Sequence, residues 1–148
     1  MIDLIIIGAG LGGLFAAYTA ARAGQRVKIV AKGLGATHWH AGTIDVLGYY
    51  PNSATPVARP LDALRDLTRA QPPHPYALAD GALNDALENF LALTQELGLP
   101  YAGAANAGDN LWLPSPVGAA RPTFLAPRAQ LAGDLRRAEP MLIVGLQG

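Results

Sequence analysis

Ile2-Asp3-Leu4-Ile5-Ile6-Ile7-Gly8-Ala9-Gly10-Leu11-Gly12-Gly13-Leu14 opens the chain and decides its fold. Ile2 to Ile7 reads as a strand, and Leu14 to Ala23 as an apolar-faced helix stopped by Gly24. Arg26 to Ala31 reads as a second strand. An apolar, β-branched run followed by a helix and another strand is the pattern of a buried parallel βαβ unit. The glycines between strand and helix have separate tasks. Gly8 permits the tight turn, Gly10 lets the backbone approach a pyrophosphate, and Gly13 lets helix pack on strand. The helix N-terminus beyond supplies unpaired amides and a macrodipole of about half a positive charge aimed at that anion, with Leu11 and Gly12 of the turn as further expected cofactor contacts. A bound dinucleotide or flavin follows as the leading reading.

Working outward, 148 residues suffice for one globular domain over 1–148, burying about two thirds of the unfolded surface. Basic and acidic residues balance at 11 each with no basic block, which argues against an electrostatic grip on nucleic acid. The sequence has no cysteine, so disulfides, iron–sulfur ligation and a thiol nucleophile are excluded within these residues. Leu4 to Ala21 is uncharged and long enough to mimic a membrane span. Its glycines and the missing basic n-region reject both span and signal peptide, and point to a soluble, cytoplasmic start.

The small-residue loop Gly33 to Gly42 follows the second strand, then Thr43 to Leu47 and the proline-marked connection Pro51 to Pro60. Leu61, Leu64 and Leu67 have helical spacing, with Pro60 in the first turn and Pro72-Pro73 as the stop. Leu83, Leu87, Phe90, Leu91, Thr94 and Leu97 mark a second helical face, ended by Gly98 and Pro100. Leu111 to Leu113 and Thr123 to Leu125 read as an antiparallel pair across a proline- and glycine-rich turn. Met141 to Leu146 reads as another buried strand. A parallel sheet would need a crossover helix after it, so the chain reads as part of something longer.

Four stretches carry a resemblance: Ile5 to Leu14, His38-Trp39-His40-Ala41-Gly42-Thr43-Ile44-Asp45-Val46-Leu47, His74-Pro75-Tyr76, and Arg121-Pro122-Thr123-Phe124-Leu125-Ala126-Pro127. With them the chain resembles the flavoprotein family formed by the B subunit of anaerobic glycerol-3-phosphate dehydrogenase, over essentially all its residues, as an N-terminal portion. The resemblance implies an α/β, Rossmann-like FAD/NAD(P)-binding fold. It further implies a flavin-dependent subunit acting with a catalytic partner and a membrane-anchoring iron–sulfur partner. Such a complex oxidises glycerol 3-phosphate to dihydroxyacetone phosphate and passes electrons to quinone. It sits at the inner face of the membrane through a partner, with no span of its own. The residues alone reach a parallel sheet with an N-terminal βαβ unit, a small antiparallel addition and a phosphate site.

An acidic residue is expected about 20 residues after the glycine turn, where it would accept the ribose hydroxyls of an adenosine. That place falls on Ala31, followed by Lys32. FMN has no adenosine to miss the acid, FAD can be held by other contacts, and NADP can set its 2′-phosphate near Lys32. The family resembled is described with FMN and lacks the acid too, which puts a flavin, FMN or FAD, first. The loop after the second strand should leave the sheet edge where ligands collect. Thr37 and Thr43 can donate hydroxyls, Gly42 can bring a backbone amide close, and His38 or His40 can bond a flavin edge or a phosphate. Trp39 reads as packing, Asp45 as the cap of a short helix-like Val46 to Tyr50, and His74-Pro75-Tyr76 as a rigid helix-capping turn. Arg121 and Arg128 read as ion-paired or solvated. No metal site is expected, and no residue is assigned to catalysis. Two other readings stand beside the flavin enzyme: an NAD(P)-binding oxidoreductase domain, and a non-catalytic assembly module of a dehydrogenase complex.

Overall fold

The computed structural model describes residues 1–79, 81–104, 107–142 and 144–147. Its contacts form two compact units, Met1–Gly42 and Thr43–Gly148. The fold is α/β, with a small parallel sheet and small antiparallel sheets.

The first unit is the βαβ turn. Strand β1 (Leu4–Ile7) and strand β2 (Val27–Val30) pair in parallel, Leu4 opposite Val27 and Ile7 opposite Val30. Helix α1 (Leu11–Arg22) crosses between them. It begins three residues earlier than its apolar face suggests, because Gly12 and Gly13 already take helical positions. It ends where Gly24, at φ 82°, adopts the left-handed conformation. The Gly24 amide donates to Ala21 O and the Gln25 amide to Ala20 O, a pair of bonds that satisfies the last carbonyls. At the far end of the strands from the glycine turn, Asp3 clamps Arg26. Its carboxylate accepts from the Arg26 amide, Nε and Nη2, each at 2.9 Å. The Arg26 guanidinium and amide hold the Asp3 carboxyl below the usual carboxylate range.

Full burial of the first strand is not realised. Leu4 and Ile6 are half-buried, whereas Ile5 and Ile7 are exposed, Ile7 at 89%. With two strands and one crossover helix, only one face of the ribbon is covered, so alternate side chains point outward.

In the second unit, helix α2 (Pro60–Ala70) starts on Pro60 as its spacing predicts, and helix α3 (Ala82–Glu96) is followed by Gly98 at φ 71°. Strands β3 (Tyr101–Ala102) and β6 (Ala126–Pro127) pair antiparallel, as do β4 (Leu111–Pro114) and β5 (Ala120–Thr123). The expected second strand at Thr123 to Leu125 therefore lies earlier in the chain. Leu125 instead bridges Ile44, with reciprocal bonds from Ile44 N to Leu125 O and from Leu125 N to Ile44 O. The core joins Val46, Leu47, Val57, Leu64, Leu67, Phe124 and Leu125, with Tyr76, Leu87 and Phe90 packed against it. Asn110, almost fully buried, holds the irregular segments around this core: its Nδ2 donates to Leu47 O and Val57 O, and its amide to Ala58 O.

Two further expectations fail here. Val46 to Tyr50 is not helical, and Tyr49 bridges Pro56, so Asp45 caps nothing and instead faces Arg121. Met141 to Leu146 forms no strand among its described residues, Ile143 lying outside them, and Leu142 and Leu146 are 88% and 94% exposed. Apolar β-branched composition makes a strand only where a neighbouring edge takes its backbone hydrogen bonds, and none is paired to this segment.

Candidate functional site

The glycine turn is built as its sequence predicts. Gly8 closes the parallel ladder by donating to Val30 O at 2.8 Å, and takes φ 109°, which a side chain would strain. Gly10 caps α1 in an extended conformation, φ −75° and ψ 174°, and its carbonyl accepts from the Leu14 amide at 2.9 Å. A Cβ on Gly13 would lie 2.3 Å from Gly8 O, so the absence of a side chain is what lets α1 sit against the end of β1. At Gly10 and Gly12, by contrast, a Cβ would meet no atom within 4 Å. One side of the turn is thus close-packed and the other open.

Among the described residues, no backbone carbonyl accepts from the amides of Gly10, Gly12 or Gly13. The first turn of α1 has no acidic residue and no side-chain cap. An unneutralised helix N-terminus with open glycines is suited to an anion, and a diphosphate or phosphate monoester meets that requirement. The residues present therefore fit the phosphate end of a flavin nucleotide.

Sequence reasoning missed Gly35. At φ 73° it passes against the turn so closely that a Cβ would lie 2.8 Å from Gly10 Cα and 2.9 Å from Gly10 N. The loop after β2 is thereby braced on the phosphate turn, and the signal was the second glycine of Gly33-Leu34-Gly35.

Ala31 and Lys32 leave the end of β2 exposed, and no carboxylate stands at that place. Thr37 and His38 fall in a single 3₁₀ turn, Ala36–Trp39, whose His38 amide reaches Gly35 O at 3.4 Å. His38 and His40 are exposed. The packing assigned to Trp39 does not occur: it is 87% exposed and meets His38 edge-on at 5.2 Å, because the loop follows a glycine turn that offers it no apolar cover. Gly42 adopts φ 78°. These residues belong to the first unit; Thr43 opens the second, where it is buried and its Oγ1 accepts from Arg121 Nη2 at 2.7 Å. His74 Nδ1 accepts from the Tyr76 amide at 3.2 Å, so that motif caps the 3₁₀ turn Pro75–Ala79. No three His, Asp or Glu side chains converge as a metal site among the described residues, and no described helix is long and apolar enough to cross a membrane.

Comparison with known proteins agrees with this geometry. The B subunit of anaerobic glycerol-3-phosphate dehydrogenase from Pectobacterium atrosepticum is 34% identical over 150 residues, covering 99% of this chain and 35% of the relative. The protein of the same name from Yersinia pestis bv. Antiqua is 34% identical over 152 residues, with the same coverage. That from Aliivibrio fischeri is 34% identical over 125 residues, covering 84% of this chain and 27% of its own length. The chain thus spans about a third of the length of the curated relatives it matches. No solved structure matches it. The FAD binding domain family matches residues 3–148, from the start of β1 through both units, and the chain belongs to that family.

Proposed function

We propose that residues 1–148 act as a single flavin-binding domain, the N-terminal part of a longer dehydrogenase polypeptide similar to the B subunit of anaerobic glycerol-3-phosphate dehydrogenase. The observation that carries this reading is the glycine turn, close-packed at Gly13 and open at Gly10 and Gly12, at the head of α1. Gly8, Gly10, Leu11, Gly12 and Gly13 form the seat of the flavin's phosphate: Gly8 makes the turn, and the amides of Gly10, Gly12 and Gly13 face the anion. The loop from Ala31 through Lys32, Thr37, His38 and Gly42 orients the rest of the nucleotide. When bound, the flavin supplies hydride acceptance from the substrate alcohol. The chain's own part is to bind and orient.

On this reading the substrate is glycerol 3-phosphate, the compound in the relatives' name; the family resemblance further implies dihydroxyacetone phosphate as product and electrons leaving for quinone through a catalytic and a membrane-anchoring partner. On the same reading the protein is cytoplasmic and held at the inner face of the membrane through a partner subunit. The Ala31-Lys32 pair supports one competing reading, NADP with its 2′-phosphate near Lys32. Purifying the protein, recording its visible spectrum, and releasing and identifying the nucleotide separates the two. A flavin spectrum with FAD or FMN released is the expected result; a colourless protein that binds NADP tightly overturns the proposal.

A further inference from the structure

We infer that the indole of Trp39 is the platform on which the isoalloxazine ring of the bound flavin stacks. This deepens the flavin reading above and rests on it.

Trp39 and the glycine turn lie in the same unit, Met1–Gly42. The brace at Gly35 brings them together: a Cβ there would lie 2.8 Å from Gly10 Cα, so the backbone of the loop touches the turn. The 3₁₀ turn Ala36–Trp39 starts at the next residue, and the His38 amide reaches back to Gly35 O. At about 2 Å of rise per residue, its four residues carry the chain only about 8 Å from that brace. An indole held there is within reach of a ribityl chain that leaves a phosphate seated on Gly10 and Gly12.

The indole is available for stacking. It is 87% exposed, and its aromatic neighbour, His38, meets it at an interplanar angle of 78° with centroids 5.2 Å apart. An edge-on ring abuts at most one face of the indole, which leaves a broad, electron-rich face in solvent. Offset stacking with a planar, electron-poor ring is the contact such a face makes best, and isoalloxazine is such a ring. The adenosine of FAD belongs instead at the end of β2, where Ala31 and Lys32 precede the Gly35 brace in the chain. Trp39 follows the brace, which assigns it to the other end of the nucleotide, the flavin ring.

The test titrates FAD, FMN and ADP into the intact protein as wild type, Trp39→Phe and Trp39→Ala. It also records the emission of bound FMN, which an indole in ring contact quenches by electron transfer. Because the indole faces solvent, Trp39→Ala should unfold at the wild-type midpoint. It should bind FMN about two- to tenfold more weakly, the scale of one aromatic pair, and its bound FMN should emit more brightly than in wild type. Trp39→Phe keeps an aromatic face and should bind FMN more tightly than Trp39→Ala. ADP carries the diphosphate and adenosine without the flavin ring, and should bind all three proteins alike. A Trp39→Ala protein with wild-type FMN affinity and emission, a loss with ADP equal to that with FMN, equal weakness of Trp39→Phe and Trp39→Ala, or a lowered unfolding midpoint in Trp39→Ala would each overturn the inference. A wild-type protein that binds no flavin overturns the functional proposal and this one together. Tight wild-type binding that is indifferent to Trp39 removes this inference alone.

Discussion

At the scale of the residue, the glycines of the turn divide into those required by the protein and those left for a ligand. A Cβ on Gly13 meets Gly8 O at 2.3 Å, well inside van der Waals distance. Gly13→Ala should therefore shift α1 off the strand and lower stability by about 1–3 kcal/mol, read as a drop in the midpoint of denaturant unfolding. Asn110 makes a second prediction. Its Nδ2 serves two carbonyls on segments with no regular structure of their own. Asn110→Ala leaves both buried and unserved, and a loss of about 1–3 kcal/mol per orphaned group is the scale to expect in the same measurement. The glycine roles were legible in sequence because spacing alone specifies them. Gly35 and Asn110 were not, since each acts on a segment distant in sequence and has no periodic or motif signature.

At the scale of the element, the strand–helix–strand unit was legible almost throughout: α1 stops before Gly24 as turn chemistry requires, and only its start, at Leu11 and not Leu14, was hidden by glycines that carry no apolar face. Both helices of the second unit were legible from apolar spacing and their proline and glycine ends. What failed was strand burial and strand existence. Ile5 and Ile7 look identical to Leu4 and Ile6 by composition, but which face is covered depends on neighbours that a local reading does not contain. The same holds for Met141 to Leu146, apolar but unpaired. The parallel ribbon is also closed at its far end by the Asp3–Arg26 clamp, whose carboxyl is held below its ordinary value of 3.8. A depressed carboxylate contributes stability that is fully present above its unfolded value. That stability is lost as pH falls through the lower folded value. Unfolding midpoints recorded from about pH 6 to about pH 2 should fall less steeply below 3.8 in Asp3→Asn than in wild type. Because both partners are solvent-facing, added salt should diminish the difference; parallel curves for the two proteins would count against the clamp.

At the scale of the whole molecule, the exposed apolar side chains carry a consequence for behaviour in solution. Ile5 and Ile7 stand out from the ribbon of the first unit, and Leu142, Val144 and Leu146 from the last segment of the second. Bare apolar strand and segment surface favours association. Light scattering on the 148-residue chain should give a mass above 15.4 kDa that rises with concentration; a stable, monodisperse monomer would contradict this. Fold class and cofactor class were both readable from the first 32 residues because a phosphate turn is a local object. The Thr43–Arg121 hydrogen bond, made across 78 residues, could be found only in three dimensions. The proposed function rests on the open side of the glycine turn serving as the seat of the flavin's phosphate. Gly10→Ala tests this most directly, since its φ of −75° suits alanine and its Cβ would meet no protein atom. Titrated with FAD, this variant should unfold at the wild-type midpoint yet bind at least about tenfold more weakly, the scale of one strong hydrogen bond removed. Unchanged FAD affinity in a fully folded Gly10→Ala protein would contradict that seat.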